Sequence, residues 1–277
     1  PLAWSAEFST DGGKTWTSRC PEWVTGFTDQ AEGSVEEVKY EAAVGPKPID
    51  ETIDPNTSLR TAEAVTDYDL STGGSSNLSA RNTANCYVVN APGTYRFPLI
   101  YGNAIRNGAD NQEAYAKKAG EWGMDLPFWD CVSRDIQSPF ITSDRTFRAA
   151  ILWQDENNLV KNVGVSPAQG NILGKNVQYI AFEVEAGTIR QGNCVIALYA
   201  EDNANSTLVW SWHIWVTRYD PNAELVAFGK IYTWDNNGDG VTDYTFMDRN
   251  LGAVINKALI ENTPADSLGA CGLLYQW

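Results

Sequence analysis

Residues 207–216, TLVWSWHIWV, alternate large side chains on both sides of an extended chain. One side carries Leu208, Trp210, Trp212, Ile214 and Val216, and the other carries Val209, Ser211, His213 and Trp215. A period of two predicts a β-strand, and bulky residues on both sides predict that both of its faces are covered. We therefore expect this stretch to be the central strand of a sheet.

Further strands are predicted where apolar and polar residues alternate between turns rich in Gly, Pro, Asp and Asn. They fall at residues 86–90, 95–101, 148–153, 159–165, 177–185 and 194–199. The Pro-Gly turn at 91–94 suits a reversal into a return strand, because Pro presets φ and Gly accepts positive φ. Strands do not alternate with helices, which excludes a doubly wound nucleotide-binding fold, and their spacing is typical of a β-sandwich.

The chain has 277 residues, enough for several modest domains. We expect an all-β protein made of tandem Ig-like β-sandwich domains. Residues 1–48 predict a small β module, and residues 49–82, rich in Pro, Gly and Ser, predict a linker or long surface connection. Residues 83–220 predict the main sandwich, and residues 221–277 predict the start of a third domain.

The first module contains a turn motif. Residues 9–16, STDGGKTW, match the Asp-box pattern S-x-D-x-G-x-T-W and resemble the repeats of sialidase propellers. Propellers carry one copy in each blade, whereas a single copy stands here. We interpret it as a hairpin lock, in which Asp11 caps the turn amides and Trp16 packs beneath. A hydrolase is the alternative that the motif leaves open.

The net charge of −15 narrows the range of partners. Nucleic acids and anionic membranes are bound through Lys/Arg patches, so a strongly acidic chain disfavours both. An acidic surface suits calcium and solubility outside the cell. No apolar run in the sequence reaches the roughly 20 residues of a membrane-spanning helix.

The sharpest local motif is DNNGDGVTD at residues 235–243. Oxygen-bearing side chains at alternate positions, with Gly at the sixth, have the spacing of a calcium loop, because Gly permits the sharp reversal that such a loop needs. Phe246 stands where an EF-hand has its bidentate Glu, so the pattern is closer to the short calcium loops of extracellular repeats. A polar hairpin turn is the alternative. The predicted calcium ligands are Asp235, Asn237, Asp239, Asp243 and the backbone carbonyl of Val241.

No convincing catalytic constellation is present, and we expect a protein without enzymatic activity. His213, the only histidine, lies between large apolar residues, which favours a core position. Ser211 shares its strand face without forming a nucleophile elbow. Glu183 and Glu185 share one strand face as well, whereas a glycosidase needs two carboxylates at a set separation in a cleft.

Five cysteines, at positions 20, 86, 131, 194 and 271, lie far apart and lack the C-x-x-C pairs of a zinc site. We expect buried free thiols that pack as small apolar groups. One bridge, such as Cys86 with Cys194, is the alternative.

Eleven tryptophans admit two interpretations. Most are expected in cores and hairpins, and a few exposed ones are expected to stack on sugars. The aromatic-rich loop at 121–129 is the best candidate for a recognition surface. The candidate ligand-binding residues are Trp122, Trp129 and Trp153.

Four phrases in combination resemble one group of surface proteins. They are TANCYVVNAPGTYRFP at 83–98, AILWQD at 150–155, WSWHIWVT at 210–217, and MDRNLGA at 247–253 followed by GLLYQW at 272–277. The set resembles the fimbrillin-like and major-paralogous-domain surface proteins of Bacteroidetes. Residues 1–48 are loosely similar to their BACON-type or other Ig-like modules, and the end segment is similar to the start of a C-type lectin-like domain.

This resemblance implies an exported, extracellular protein of the outer membrane or pilus, built from β-sandwiches and without enzyme activity. The expected role is adhesion, at a pilus tip or as an accessory subunit. The expected partners are other surface or pilus proteins, or glycans. Glycan binding in a polysaccharide-uptake system is the alternative, and a glycoside hydrolase is a more distant one.

Overall fold

The computed structural model describes residues 4–5, 8, 15–20, 30–31, 55–116, 118–119, 125–126, 128–202, 205–220, 231–235, 240, 242, 244–247, 249–254 and 269–273. The chain divides into two compact units, Pro1–Thr52 and Ile53–Trp277. Strands dominate the described residues and the helices are few and short, so the predicted all-β class is confirmed. In this described part, no helix has the length and apolar character needed to cross a membrane.

The first unit contains a short antiparallel pair of strands, β1 (Trp4–Ser5) and β2 (Gln30–Ala31). Phe8 and Thr17 exchange backbone hydrogen bonds of 2.8 and 3.0 Å, as the predicted hairpin requires. Trp16 is 61% exposed, whereas the Asp-box interpretation expected a covered side chain. Asp11 lies outside the described residues.

The second unit is built mainly of strands, and every strand predicted from alternation after residue 83 has a counterpart in it. Among the described residues, its helices are α1 (Pro55–Thr61), two 3-10 turns, Leu78–Ala80 and Gln112–Ala114, and a single helical turn at 269–271. Its strands are β3 (Val65–Asp69), β4 (Cys86–Val89), β5 (Gly93–Pro98), β6 (Ile105–Arg106), β7 (Ala109–Asp110), β8 (Lys118–Ala119), β9 (Asp125–Leu126), β10 (Thr146–Gln154), β11 (Lys161–Ile172), β12 (Lys175–Val184), β13 (Gly192–Glu201), β14 (Ser206–Val216), β15 (Ile231–Trp234) and β16 (Tyr244–Met247).

Eight of these strands form two four-stranded sheets that share one core. The first sheet has the order β10-β13-β14-β4, and the second has the order β11-β12-β5-β3. Each is antiparallel except at one edge, where β4 runs parallel to β14 and β3 runs parallel to β5. The rings of Phe97 and Trp212, one from each sheet, lie 5.1 Å apart. The second unit is therefore sandwich-like.

The prediction of a central strand at 207–216 is confirmed. β14 has a partner strand on each side, and residues on both of its faces are buried. Trp212 and Ile214 belong to one buried face, and His213 and Trp215 belong to the other.

The alternation of that strand breaks at one point. Leu198 pairs with Trp210 and Tyr199 pairs with Leu208, which leaves Val209 as the extra residue of a β-bulge. Val209 is buried, while Leu208 is 44% exposed instead of sharing the face of Trp212. A bulge shifts the pleat by one residue, so every side chain before it changes face.

The turn at 91–94 does not make a hairpin, which corrects the prediction. β4 and β5 belong to different sheets, so the turn carries the chain from one sheet to the other. Gly93 has a φ of 145°, and a Cβ there would lie 2.1 Å from the Val65 carbonyl oxygen. The Val65 amide donates to the Pro92 carbonyl at 2.9 Å. At this turn β5 therefore pairs with β3 and not with β4.

Residues 55–82, expected to be part of a linker, contribute to the sandwich-like unit instead. α1 buries Leu59 in the shared core, and β3 forms an edge of the second sheet. The Pro, Gly and Ser residues of this stretch lie at the start of α1 and in the turns after β3, where their backbone preferences are used locally.

Described parts of the segment 221–277 pack against the first sheet. Asn193 of β13 donates through Nδ2 to the Gly252 carbonyl at 3.0 Å. Gly252 has a φ of 85°, and a Cβ there would lie 2.7 Å from Asn193 Oδ1. Residues 251–254 therefore belong to the same compact unit as the main sheets, whereas the sequence suggested a separate third domain.

Candidate binding surfaces

The predicted calcium loop closes a β-hairpin. β15 and β16 pair with Trp234 opposite Tyr244, so residues 235–243 form the connection. Asp235 Oδ2 accepts a hydrogen bond of 2.8 Å from the Gly240 amide, and Gly240 has a φ of 84°. Gly at the sixth loop position thus makes the reversal that the motif predicts.

Most of the predicted calcium ligands cannot be placed. Asn237, Asp239, Val241 and Asp243 lie outside the described residues. Among the residues that are described, no group of three or more His, Cys, Asp or Glu side chains is arranged to hold a metal ion. Calcium binding by this loop stays a prediction.

A short hairpin over residues 128–136, which we term the aromatic hairpin, begins with the last two residues of the predicted aromatic-rich loop. The Ile136 amide donates to the Phe128 carbonyl at 2.8 Å, and Trp129 pairs with Asp135 in a β-bridge. The Asp130 amide donates to the Arg134 carbonyl at 2.8 Å and closes the turn. Residues 121–124 and 127 of the predicted recognition loop lie outside the described residues, so recognition by this loop stays a prediction.

The carboxylate of Asp130 holds the turn from inside. Its Oδ1 accepts the amides of Val132 and Arg134, each at 2.9 Å, and its Oδ2 lies 2.9 Å from Arg134 Nη2. Burial favours the neutral carboxyl, but these hydrogen bonds and the guanidinium outweigh it and lower the pKa of Asp130. Asp130 is therefore ionised at neutral pH, and its carboxylate braces the turn.

The turn presents apolar side chains to solvent. Trp129 is 59% exposed, and its neighbours Phe128 and Val132 are also exposed. An adjacent cluster of exposed apolar groups on a braced turn is unusual for a surface without a partner. Trp122, the other predicted ligand-binding residue of this loop, lies outside the described residues.

The aromatic hairpin is joined to the core through its last residue, Ile136, which is buried among the core residues. Tyr101 and Trp210 meet edge to face with centroids 5.0 Å apart. Burial raises the pKa of Tyr101 to about 12, and the charge of Asp130 adds to the rise. Trp210 Nε1 donates to Asn85 Oδ1 at 3.0 Å. Both rings pack against the core of the second unit.

Trp153 stands apart from this cluster. It lies on β10, an edge strand of the first sheet, directly after a bulge at Leu152. Trp153 is 45% exposed and Leu152 is exposed beside it. No ring contact between Trp153 and Trp129 is found among the described residues, so the two predicted tryptophans do not form one described surface.

His213 takes the core position that the sequence favoured. It is buried, and its Nε2 lies 2.8 Å from Asn193 Oδ1. Asn193 Nδ2 donates in turn to Asp155 Oδ2 at 2.9 Å. Burial lowers the pKa of His213 to about 4, so the ring is neutral at physiological pH. The amide of Asn193 separates the ring from the Asp155 carboxylate, so this network orients side chains across the first sheet.

A bridge between Cys86 and Cys194 is excluded by the pleat. Cys86 is in register with His213, and Cys194 is in register with Ile214, so their side chains lie on opposite faces of the sheet. Cys194 is fully buried, and burial raises the pKa of its thiol to about 12. It packs as a small apolar group, as expected, whereas Cys131 is exposed.

One polar cleft was not foreseen from the sequence. It has a volume of about 510 Å³ and lies between the second sheet and the turns that follow β3. No local sequence motif predicts this cleft, because its residues come from β3, the turns after β3, β5, β11 and β12. Its lining includes Asp67, Asp69, Ser75, Ser76, Arg81, Arg96, Asn171 and Tyr179.

No family model, curated protein sequence or solved structure matches this chain. Its class therefore follows from its own fold: an all-β protein with a sandwich-like second unit, an exposed aromatic hairpin and a polar cleft.

Proposed function

We propose that this chain is a non-enzymatic, exported surface-adhesion protein of the fimbrillin-like type, which binds a protein or glycan partner through the aromatic hairpin. The observation that carries the proposal is the exposure of Trp129 and Phe128 on a turn braced by Asp130. Exposed aromatic side chains that are already ordered lose little conformational entropy on binding, so they are effective contact residues.

The rest of the architecture supports a binding role. The core of the second unit is formed by two sheets, and Ile136, the last residue of the aromatic hairpin, is buried in it. Recognition by a connecting turn on a rigid scaffold is common in all-β proteins. The net charge of −15 suits a soluble surface protein and disfavours nucleic acid. The Ig-like and C-type lectin-like assignments, and calcium at residues 235–243, form part of the proposal.

The test is binding by the full chain to a glycan array and to a panel of immobilised host-surface proteins, in calcium and again in chelator. We expect binding to at least one class, and we expect Trp129→Ala to reduce it by about tenfold or more, as loss of an aromatic anchor does. Trp16→Ala is the matched control, since Trp16 is equally exposed but lies in the first unit.

The outcomes separate the alternatives. Binding to neutral or charged glycans that depends on both Trp129 and Trp153 would favour the glycan-uptake role over protein adhesion. Binding that Trp129→Ala leaves unchanged would contradict the proposed surface. Glycan hydrolysis by the wild-type chain would contradict the non-enzymatic assignment.

A further inference from the structure

The polar cleft has a rigid floor made by an internal ion pair. Arg81 Nη1 lies 3.1 Å from Asp69 Oδ2, and both side chains are buried. Asp69 Oδ1 also accepts the amide of Ser71 at 2.9 Å and its hydroxyl at 2.6 Å, and Arg81 donates to Ser71 Oγ. Because these buried charges satisfy each other, they fix the turns over the second sheet.

One wall of the cleft is a stacked pair, Arg96 and Tyr179. The Arg96 guanidinium lies 5.2 Å from the centre of the Tyr179 ring. Gly170 leaves room for this ring, since a Cβ there would lie 2.6 Å from the Tyr179 hydroxyl. At the rim, Asp67 lies at a β-bulge with a φ of 49°, and its Oδ1 is 3.2 Å from Arg96 Nε. The bulge therefore aims an acid at the stacked arginine.

Several hydrogen-bonding groups of the lining are unused. Asn171 Oδ1 accepts the Gly174 amide and Ser75 Oγ accepts the Asn77 amide, which leaves the Asn171 NH₂ group and the Ser75 hydroxyl proton as donors. The Tyr179 hydroxyl accepts a hydrogen bond from Arg81, and burial raises its pKa, so it keeps its proton as a donor. Within the described residues, the Arg96 Nη groups make no hydrogen bond to the protein. The cleft thus offers both donors and acceptors to a ligand.

The charges of the lining cancel. Asp67 and Asp69 carry two negative charges, and Arg81 and Arg96 carry two positive charges. A cleft without net charge gives no advantage to an anion such as phosphate or to a cation. Paired carboxylate and guanidinium groups instead match neighbouring hydroxyls, each of which donates and accepts a hydrogen bond. The volume of about 510 Å³ suits a small ligand.

We propose that this cleft is a second binding site, for a neutral polyhydroxylated ligand such as a single sugar unit at the end of a glycan. Arg96, Asp67 and Asn171 bind its hydroxyls at the rim, and the Tyr179 hydroxyl binds it from the wall. The Asp69–Arg81 pair holds the floor and does not need to contact the ligand. The site is distinct from the aromatic hairpin, which consists of different residues.

The test is saturation-transfer NMR followed by calorimetric titration of the full chain. The probes are the neutral methyl glycosides of glucose, galactose, mannose and N-acetylglucosamine, with anionic sialic acid and cationic glucosamine as charged comparisons. We expect one or more neutral sugars to bind more tightly than either charged sugar. Arg96→Gln and Tyr179→Phe are expected to weaken that binding by about tenfold, the loss typical of one hydrogen bond to a charged or buried group.

Arg190→Gln is the matched control, because Arg190 is also a partly exposed, acid-paired arginine but lies outside the cleft, and it should leave binding unchanged. Thermal melting of each variant checks that it is folded. The proposal is overturned if no neutral sugar binds, or if a charged sugar binds more tightly. Binding that survives Arg96→Gln but is abolished by Trp129→Ala would also overturn it, since the ligand would then occupy the aromatic hairpin.

Discussion

At the scale of single residues, burial and the nearest polar atoms decide what each side chain does. His213 is the clearest case, since its ring is enclosed in the first sheet and its Nε2 faces Asn193 Oδ1. Asp130 is the opposite case, because four hydrogen-bond and ion-pair contacts keep a partly buried carboxylate ionised. One residue orders a sheet face and the other orders a surface turn.

The neutral state of His213 predicts a pH dependence of stability. Folding lowers the pKa of His213 from 6.5 to about 4. Between these pH values the His213 ring is protonated in the unfolded chain but neutral in the folded chain. The contribution of neutral His213 to the free energy of unfolding is fully present above pH 6.5 and is lost as the pH falls toward 4. This contribution is about 3 kcal/mol. Melting temperatures of wild type and His213→Gln at neutral pH and near pH 4.5 measure it.

The wild-type chain should lose more stability on acidification than His213→Gln does, whatever the starting stability of the variant. Carboxylates titrate in both proteins and cancel in the comparison. Equal losses in the two proteins would show that His213 is not the group responsible.

At the scale of elements, close approaches between strands and turns decide the topology. Gly93 admits the edge strand β3, and the short turn before β5 passes between sheets. The bulge at Val209 turns Leu208 outward, and the bulge at Leu152 precedes the exposed Trp153. The bulges shift the pleat by one residue, and Gly93 leaves the space that β3 occupies.

Because the chain crosses between the two sheets at Gly93, we predict that a side chain added there destabilises the protein. Gly93→Ala combines an unfavourable φ with a contact to the Val65 carbonyl, so it should destabilise the protein by about 1–3 kcal/mol. Gly187→Ala is the control, since a Cβ at Gly187 meets no atom within 4 Å. Denaturant unfolding followed by tryptophan fluorescence compares the two. Similar stabilities would mean that β3 does not pack tightly against the turn.

The β15–β16 hairpin carries the prediction on calcium. If residues 235–243 bind calcium, saturating calcium should raise the melting temperature and chelator should lower it, because a ligand that binds only the folded state stabilises that state. Asp239→Ala should remove the response, whereas Asp144→Ala, an exposed acid outside the loop, should keep it. If calcium does not change the melting temperature, residues 235–243 form a hairpin turn without a calcium site.

At the scale of the whole molecule, stability of the second unit rests on the core between the two sheets. Phe97 is fully buried and contacts the rings of Tyr87, Phe182 and Trp212, which come from strands of both sheets. Removing it would leave a cavity where the sheets meet. The exposed aromatic residues make no comparable contribution to folding.

Phe97→Ala should therefore lower the free energy of unfolding by about 3–5 kcal/mol. Phe128→Ala removes the same side chain from the exposed hairpin, and its effect should stay within about 0.5 kcal/mol. Chemical denaturation of the two variants measures both values. A small effect of Phe97→Ala would contradict a single core shared by the two sheets.

Alternation in the sequence predicted much of the fold and part of the candidate surfaces. The all-β class and the central strand follow from a local pattern, whereas the exposed Trp153 follows a bulge at Leu152 that alternation does not predict. The structure differs from the linker predicted at 49–82 and from the hairpin predicted at 91–94. The reason is that Pro, Gly and Ser favour turns equally well in a linker, a hairpin and a crossing between sheets. Local preference specifies a turn, but not the strand that it leads to.

What the sequence alone determined is the set of properties that depend on near neighbours: strand positions, turn chemistry, the calcium-type spacing and the acidic charge. The tertiary structure decided which strands pair, and it opposed Asp69 to Arg81 and Arg96 to Tyr179 across the polar cleft. Those residues are separated along the chain, so no period or motif links them. They meet only because β3, β5 and β12 lie side by side in one sheet.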